Sequence, residues 1–284
     1  MAYTTINKSG DYFGTLLYTG NNTNDRDITG LNFTPDFTWI KPRDYAGNHG
    51  LFDAVRGADK SIRSNQTRVE DTSPSNKDLD SFISGGIRVD QSNYIDTNSD
   101  GISTAAWNWK ANGQGSSNTD GSINTTYTSA NTTAGFSISS YTGTGSSATI
   151  GHGLGVAPEF IITKQLSSTQ DWNVQATLLG YSKYLVLNST AAQANTSGAL
   201  ISSVSSSTIT VDGNAQVNGS GATYVMYCFA SKTGYSKIGT YTGIASSDSN
   251  FVYLGFKPSF LLIKNASAGS TNWHLYDNKR LGYN

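Results

Sequence analysis

Residues that build catalytic and metal centres are scarce in this sequence. Its 284 residues include one cysteine, Cys228, and three histidines, none in a paired spacing that suits zinc. A single cysteine also excludes an intrachain disulfide. No G-x-S-x-G nucleophile elbow occurs, and the glycines at 151–155 lack the lysine and the following helix of a phosphate-binding loop. We therefore expect no enzymatic activity, no metal centre of these types and no cofactor.

Charge and long apolar runs are scarce as well. Charged residues make up 14% of the chain, against about 25% in ordinary soluble domains, and the formal net charge is −1. Such a balance gives no electrostatic basis for binding nucleic acid. No apolar run approaches the roughly 18 residues that span a bilayer, and the N-terminus lacks signal-peptide features. We expect no nucleic-acid partner, no membrane insertion and no cleavable export signal.

Long stretches of helical periodicity are also missing. Apolar residues instead alternate with polar ones in short runs such as 136–139 and 208–211, and Gly, Ser, Thr and Asn crowd the segments between them. Alternation with a period of two, broken by frequent turn residues, is typical of strands. The sequence therefore predicts an all-β protein.

One pattern occurs three times along the chain. Tyr-Thr-Gly stands at 18–20, 141–143 and 241–243, and each copy is followed at constant spacing by a proline and then a lysine. These pairs are Pro35 and Lys41, Pro158 and Lys164, and Pro258 and Lys264. Successive copies begin about 100 residues or more apart, which is the size of an independent domain and too long for a solenoid repeat. The spacing predicts tandem antiparallel β-sandwich domains of the jelly-roll or lectin-like kind, arranged as separate beads.

The same spacing divides the chain into three repeats. We place the first repeat at residues 1–111, the second at 135–232 and a partial third at 233–284. Residues 112–134 have almost no apolar content, so they are predicted to be a flexible polar linker or a coil on the surface. The third repeat has counterparts only of the first half of each sandwich. We expect that the chain continues beyond Asn284, or that another subunit completes the fold in a homo-oligomer such as a trimer.

Superposing the repeats also predicts core positions. A proline opens a strand in each copy, and alternate residues after it share a face. Trp39 then falls at the position of Ile162 and Leu262, and Trp109 in the last strand aligns with Cys228. The predicted structural core consists of Phe37, Trp39, Trp109, Phe160, Ile162, Cys228, Phe260 and Leu262.

Asp96, Asn98 and Asp100 begin a D-x-N-x-D-G sequence like that of a calcium-binding loop. Trp107 stands where such a loop has its bidentate glutamate. Asp, Asn and Gly also form ordinary turns between strands. A calcium site and a plain turn are therefore the two interpretations of this segment.

Sugar binding and glycoside hydrolysis require other residues. Tyr94 and Tyr127 are candidates for stacking on a sugar ring. A catalytic pair of acids would have to come from distant strands. Asp53 aligns with Asp277 in the third repeat but with Ala176 in the second, so no acid pair recurs in all repeats.

The first repeat contains Asp-Tyr-Phe at 11–13, Pro-Asp-Phe-Thr-Trp-Ile-Lys at 35–41, Leu-Phe-Asp-Ala-Val-Arg-Gly at 51–57 and Trp-Asn-Trp-Lys-Ala at 107–111. Together with residues 151–158 and 255–258 of the later repeats, this combination resembles a family of virion proteins from marine tailed bacteriophages. The likeness covers nearly the whole chain. Members of that family are similar in being repeated lectin-like sandwiches labelled structural or tail-fibre proteins, normally with a complete third unit. The resemblance supplies no catalytic residues.

The resemblance implies a structural component of a tailed-phage virion, made in the host cytoplasm. We expect a tail-fibre or appendage protein whose partners are other virion proteins and a glycan or other receptor on the host surface. A capsid decoration or head-fibre protein is the alternative within the same class. A glycan depolymerase is the alternative from another class, and it requires two acids about 5 to 10 Å apart in a groove.

Overall fold

The computed structural model describes residues 4–73, 77–91, 94–195, 200–245 and 250–280. The strands of the first repeat are β1 (Phe13–Thr19), β2 (Arg26–Thr29), β3 (Phe37–Pro42), β4 (Gly50–Asp53), β5 (Gly57–Arg63), β6 (Leu79–Ile83), β7 (Gly86–Val89) and β8 (Ser103–Trp109). A short 3-10 turn at Ser9–Asp11 precedes them.

The second repeat and the segment before it form β9 (Tyr127–Asn131), β10 (Phe136–Thr142), β11 (Ala148–Gly151), β12 (Phe160–Gln165), β13 (Asn173–Ala176), β14 (Lys183–Val186), β15 (Ala194–Asn195), β16 (Ile201–Val204), β17 (Thr208–Val211) and β18 (Thr223–Phe229). A 3-10 turn lies at Thr177–Leu179, and the third repeat contributes β19 (Phe260–Ile263) and β20 (His274–Asp277). All pairings between these strands are antiparallel, which confirms the predicted all-β sandwich class.

Each of the first two repeats places a large sheet against a small one. The strand order in the first repeat is β1-β8-β3-β4-β5, facing β2-β7-β6. The order in the second is β10-β18-β12-β13-β14, facing β11-β17-β16, and β9 and β15 extend its large sheet. Pro35 and Pro158 stand two residues before the equivalent strands β3 and β12, where a residue without an N–H does not interrupt the ladder. The two repeats therefore have the same strand order.

The interior of each sandwich is an apolar layer between its two sheets. In the first sandwich this layer includes Leu16, Ile40, Phe52, Ile87 and Val89. In the second it includes Tyr141, Ile161, Cys228, Ile209 and Val211. Along the strands of the large sheets, the residues of this layer alternate with a second set of apolar residues, whose side chains point to the opposite face of the sheet.

The outward faces of the large sheets pack on each other. They form one shared core that contains residues of all three repeats, including Phe37, Trp39, Trp107, Trp109, Phe136, Ile162, Trp172, Tyr227, Phe260, Trp273 and Leu275. The ring centroid of Phe37 lies 4.7 Å from that of Tyr227, and the centroid of Trp109 lies 5.1 Å from that of Phe260. The expectation of separate beads is therefore wrong, because the central strands are apolar on both faces and alternation alone does not reveal what covers the second face.

The register of the last strand corrects the sequence alignment. Trp109 pairs with Phe37 between β8 and β3, and Phe229 pairs with Phe160 between β18 and β12. Trp109 therefore corresponds to Phe229, and aligning it with Cys228 was one residue out. A shift of one residue moves a side chain to the other face of the sheet. Accordingly, Cys228 lies inside the second sandwich, whereas Trp109 lies in the shared core.

The predicted core residues divide into two groups. Buried side chains, at most 9% exposed, are those of Phe37, Trp39, Trp109, Ile162 and Cys228. Half-buried side chains are those of Phe160, Phe260 and Leu262. Trp39 and Trp109 are buried between the repeats and not inside the first sandwich.

Residues 112–134 do not form the expected flexible linker. β9 is the edge strand of the large sheet of the second repeat, and Ile123 is 6% exposed. Hydroxyl groups satisfy one another here, since Oγ1 of Thr128 lies 2.9 Å from Oγ1 of Thr125 and 3.0 Å from Oγ of Ser139. Low apolar content therefore did not prevent this segment from pairing.

The face of the third repeat that carries Phe260, Trp273 and Leu275 lies on the first two repeats, as part of the shared core. Phe260 contacts Phe13 at 5.5 Å between ring centroids, and Trp273 contacts Phe160 at 6.4 Å. The expectation that the third repeat needs a partner outside residues 1–284 is therefore wrong for this face, whose partners come earlier in the chain. The opposite face, equivalent to the interior of the first two sandwiches, includes the exposed Leu261.

Because the shared core joins the repeats, we expect a single cooperative unfolding transition. Trp172→Ala should lower the free energy of unfolding by about 3–5 kcal/mol, since Trp172 is fully buried and its removal leaves a cavity. Leu178→Ala is the control, because Leu178 is 52% exposed and its loss should cost within about 0.5 kcal/mol. Urea unfolding, followed by both fluorescence and circular dichroism, measures these values. Two separate transitions, or equal effects of the two substitutions, would contradict a shared core.

Candidate functional site

A buried ion-pair network closes the turn after β4. Nε of Arg56 lies 2.6 Å from Oδ2 of Asp53, and Nη1 lies 2.8 Å from Oε1 of Glu70. Nη2 of Arg56 donates to the carbonyl of Leu51 at 3.1 Å. Asp53 is fully buried, so this carboxylate depends on its partners for stabilisation.

Tyr227 of the second repeat reaches this network. Its hydroxyl donates to Oδ2 of Asp53 at 2.7 Å. Burial raises the pKa of Tyr227 well above its ordinary value, and the charge of Asp53 raises it further. The phenol therefore keeps its proton and serves as a donor that ties the second repeat to the first.

The third repeat makes the equivalent contact with the first. Nε1 of Trp107, at the position equivalent to Tyr227, donates to Oδ2 of Asp277 at 2.9 Å. Arg280 pairs with Asp277 at 2.5 Å and lies 5.1 Å from the centroid of the Trp107 ring. Burial alone would raise the pKa of Asp277, but hydrogen bonds from the backbone N–H groups of Arg280 and Lys279 lower it. The alignment of Asp53 with Asp277 thus reflects an assembly contact.

Two of the three repeated lysines, Lys164 and Lys264, bridge repeats, whereas Lys41 donates to the carbonyls of Pro42 and Tyr45 within the first repeat. Nζ of Lys164 donates to the carbonyls of Gln165 at 2.8 Å, Gln170 at 3.0 Å and Thr67 of the first repeat at 3.2 Å. Burial lowers the pKa of Lys164 to about 8, against the opposing charge of Asp171. The three carbonyls match the three donors of an ammonium group.

Lys264 repeats this arrangement one repeat later. Its Nζ donates to the carbonyl of Thr271 at 2.5 Å and to that of Thr190, in the second repeat, at 3.1 Å. Thr190 occupies the position of Thr67, which accepts from Lys164. The constant spacing of the lysines was visible in the sequence, but nothing there indicated that Lys164 and Lys264 cross to another repeat.

Two tryptophans also donate hydrogen bonds to backbone carbonyls of another repeat. Nε1 of Trp172 donates to the carbonyl of Arg63 at 2.9 Å, and Nε1 of Trp273 donates to the carbonyl of Val186 at 3.0 Å. Backbone bonds run beside them, from Gln170 to Thr67 and from Thr271 to Thr190. With the Trp107 to Asp277 contact, these bonds join the first repeat to the second, the second to the third and the third to the first. The repeats thus form a closed ring.

In the first two repeats, the Tyr-Thr-Gly motif joins the two halves of the sandwich. The hydroxyl of Tyr18 donates to the carbonyl of Thr97 at 2.6 Å, and that of Tyr141 donates to the carbonyl of Val217 at 2.5 Å. A Cβ atom on Gly20 would lie 2.0 Å from the carbonyl oxygen of Ser99, which leaves no space for any other residue. The motif is therefore structural.

The candidate calcium residues also make hydrogen bonds between the two halves of the first sandwich. Oδ1 of Asn98 accepts from the backbone N–H of Asn21 at 3.2 Å and from Arg26 at 2.9 Å. Oδ2 of Asp96 accepts from the hydroxyl of Tyr45, while Asp100 is exposed. The guanidinium of Arg26 beside the amide oxygen opposes a divalent cation, so the geometry favours the plain turn. Within the described ranges, no three His, Cys, Asp or Glu residues form a group that suits a metal ion.

The remaining candidates are engaged in packing. The Arg63 guanidinium lies 3.7 Å from the centroid of the Tyr94 ring, and Tyr127 packs half-buried against the shared core. Neither tyrosine is an open platform for a sugar. Burial raises the pKa of the Cys228 thiol to about 12, which makes it unreactive.

Asp53 and Glu70 are two acids that do converge in the structure. Both bind Arg56, and Asp53 is fully buried, so neither is placed to act on a bound glycan. Sequence reasoning missed Tyr227 and the bridging role of Lys164, because their partners Asp53 and Thr67 lie 174 and 97 residues away in the chain. It also missed Arg56, although Asp53 and Glu70 lie only 3 and 14 residues from it.

We expect Arg56→Met to lower the free energy of unfolding by about 3–5 kcal/mol, because it leaves the buried Asp53 carboxylate without its cation. Arg88→Met is a matched control, since its pair with Asp27 is solvent-exposed and worth about 0–1 kcal/mol. Equilibrium unfolding in urea compares the two variants. Similar losses of unfolding free energy in both variants would show that the buried ion pair contributes no more to stability than the exposed one.

His49 makes stability depend on pH. Its Nδ1 accepts from Nε1 of Trp39 at 2.9 Å, and burial, with Lys41 and Arg280 nearby, lowers its pKa to about 4. The ordinary value is 6.5, so the unfolded chain binds the proton first and stability falls as pH drops from 6.5 towards 4. We expect His49 to contribute up to about 1.4 kcal/mol per pH unit in this window and nothing further above it.

Thermal unfolding at pH 7, 5.5 and 4.5 measures this dependence, with His49→Gln as the variant that lacks the titrating group. The variant should lose less stability between pH 7 and 4.5 than the unaltered chain. Equal losses in the two proteins would rule out His49 as the source.

No helix among the described residues is long and apolar enough to cross a membrane. Neither the curated proteins nor the solved structures contain a match to the chain. One family, described as "Domain of unknown function (DUF7483)", matches residues 8–284. Since that match spans nearly the whole sequence, the chain belongs to the DUF7483 family.

Proposed function

We propose that this protein is a non-catalytic structural component of a tailed-phage virion, an appendage on the tail that contacts the host surface. The observation that supports a non-catalytic role is that buried polar side chains bind partners within the protein. Asp53, Arg56, Lys164 and Asp277 all bind partners within the protein that join or stabilise the repeats. Because these side chains already bind partners within the protein, we assign them a role in holding the repeats together.

The closed ring supports a role outside the cell. Each repeat contacts the other two through the shared core, so a local opening of one repeat exposes surface that the others cover. A chain with few independent openings offers few sites to proteases. Such resistance suits a particle component that persists after its host cell has lysed.

The virion context itself rests on the resemblance of residues 35–41, 51–57 and 107–111 to proteins of marine tailed phages. That resemblance implies other virion proteins as partners, a homo-oligomeric assembly and contact with a host glycan or receptor at exposed loops. The low charge, 14% of residues, supports binding through shape and hydrogen bonding more than through long-range attraction.

The decisive experiment localises the chain on particles of the phage that encodes it. Antibodies raised against residues 1–284 should label the tail appendage in negative-stain electron micrographs, and antibody preabsorbed with the purified protein should not. Label on the capsid would support the head-fibre alternative instead. Particles that lack both label and the corresponding peptides in mass spectrometry would overturn the virion assignment.

A second measurement addresses the non-catalytic assignment. We expect purified protein to leave the chain length of host surface polysaccharide unchanged during prolonged incubation, as judged by size-exclusion chromatography. Shortening of the polysaccharide by the purified protein, but not by heat-unfolded protein, would show that it is a depolymerase.

A further inference from the structure

Four polar side chains lie together inside the second sandwich. Thr163 and Gln165 are on β12, Asn173 and Gln175 are on β13, and each is at most 5% exposed. Thr163 stands directly opposite Asn173, which brings their Cβ atoms to about 4.5–5.5 Å. All four share the face of Ile161, because paired residues and residues two apart on a strand point the same way. They form one group, the β12–β13 polar cluster, in the interior of this sandwich.

Five polar atoms of this cluster have no hydrogen-bond partner among the described residues. They are Oγ1 of Thr163, Oε1 of Gln165, Oδ1 and Nδ2 of Asn173, and Oε1 of Gln175. A buried donor or acceptor without a partner is destabilising, and folded proteins contain few of them. Five in one place therefore indicate a bound species that completes their hydrogen bonds.

The first repeat fills the equivalent place with apolar side chains. Its residues at the four equivalent positions are Ile40, Pro42, Gly50 and Phe52. A Cβ atom on Gly50 would lie 2.7 Å from Cγ2 of Ile95 and 2.9 Å from Cε2 of Phe52. These two side chains therefore occupy the space that an asparagine side chain takes in the second repeat.

The second repeat has no counterpart of the isoleucine that covers Gly50. The tyrosine hydroxyl of the Tyr-Thr-Gly motif donates to the carbonyl of Thr97 in the first repeat and of Val217 in the second, so these two residues are equivalent. Two residues before each of them, Ala215 stands at the position of Ile95. Ala215 is smaller and exposed, whereas Ile95 is fully buried.

Buried polar side chains of the first sandwich bond directly to each other. Oγ1 of Thr38 donates to Oδ1 of Asn108 at 2.8 Å, and both residues are fully buried. The β12–β13 polar cluster contains no such pair, although its members are neighbours. Nε2 of Gln175 donates to the carbonyl of Gly180 at 3.0 Å, which turns the amide so that Oε1 is left to accept from the bound species.

We propose that the second sandwich binds internal water at the β12–β13 polar cluster. A buried water molecule makes about three hydrogen bonds, so about two molecules satisfy the five atoms. The chemistry of the set favours water over a cation, because it contains an amide donor, Nδ2 of Asn173, and no carboxylate. Water both donates and accepts, whereas a cation is repelled by an N–H group. Water thus takes the place in the second sandwich that Ile95 and Phe52 take in the first.

Deuterium relaxation dispersion of the water signal detects water molecules that stay bound for longer than the protein takes to rotate. We expect Thr163→Val to lose part of the dispersion of the unaltered 284-residue chain, corresponding to about one water molecule, because valine has nearly the same shape but no hydroxyl. Its melting temperature should fall by about 2–4 °C. Thr38→Val is the matched control, since it breaks a direct bond and should lower the melting temperature without changing the dispersion.

A crystal structure of the unaltered chain gives the direct check, and we expect water oxygen atoms within hydrogen-bond distance of the Asn173 amide. Three results would overturn the proposal. The first is a Thr163→Val variant that keeps its full dispersion or gains stability, since the hydroxyl would then have no water to bind. The second is a crystal structure in which the four side chains bond directly to one another. The third is an anomalous signal at the cluster after soaking in rubidium chloride, because the occupant would then be a cation.

Discussion

The packing of the large sheets on one another is the constraint on which the rest of this structure depends. Each large sheet is apolar on both faces, so one face fills its own sandwich and the other requires a neighbour. A buried aromatic side chain removes about 150–250 Å² from water, and at about 25 cal/mol per Å² it contributes several kcal/mol. The shared core concentrates many such rings, which binds the three repeats into one unit.

The polar contacts around this core specify how the repeats meet. Lys164 and Trp172 satisfy backbone carbonyls of the first repeat, and Lys264 and Trp273 do the same for the second. Carbonyls buried at an interface without donors would destabilise it, so these bonds favour one relative arrangement among several that would bury similar apolar area. Apolar packing thus supplies the driving force, and the lysine and tryptophan donors supply the geometry.

Much of the fold was predictable from the sequence, because period-two alternation and the repeated motifs are local signals. They located the strand after each proline and indicated that the first two repeats share one fold. The shared core was not predictable, since alternation shows two apolar faces without showing what covers each. The alignment of Trp109 with Cys228 failed because the loop before the last strand differs in length between the repeats. The calcium interpretation of Asn98 could not be judged locally, because Arg26, which opposes it, lies 72 residues away.

Side chains of different size at one equivalent position affect whether one repeat could replace another. Trp39, Ile162 and Leu262 occupy the same place in their repeats, yet they differ greatly in volume, and all three lie on the face that meets the other repeats. The shared core contains both Trp39 and Ile162, so equivalent positions fill it with side chains of different shape. Recombination that replaced the second repeat with a duplicate of the first would put a second tryptophan into space sized for isoleucine, and overpacking of this kind costs about 1–3 kcal/mol. The three repeats look like copies in sequence, but they are no longer interchangeable parts.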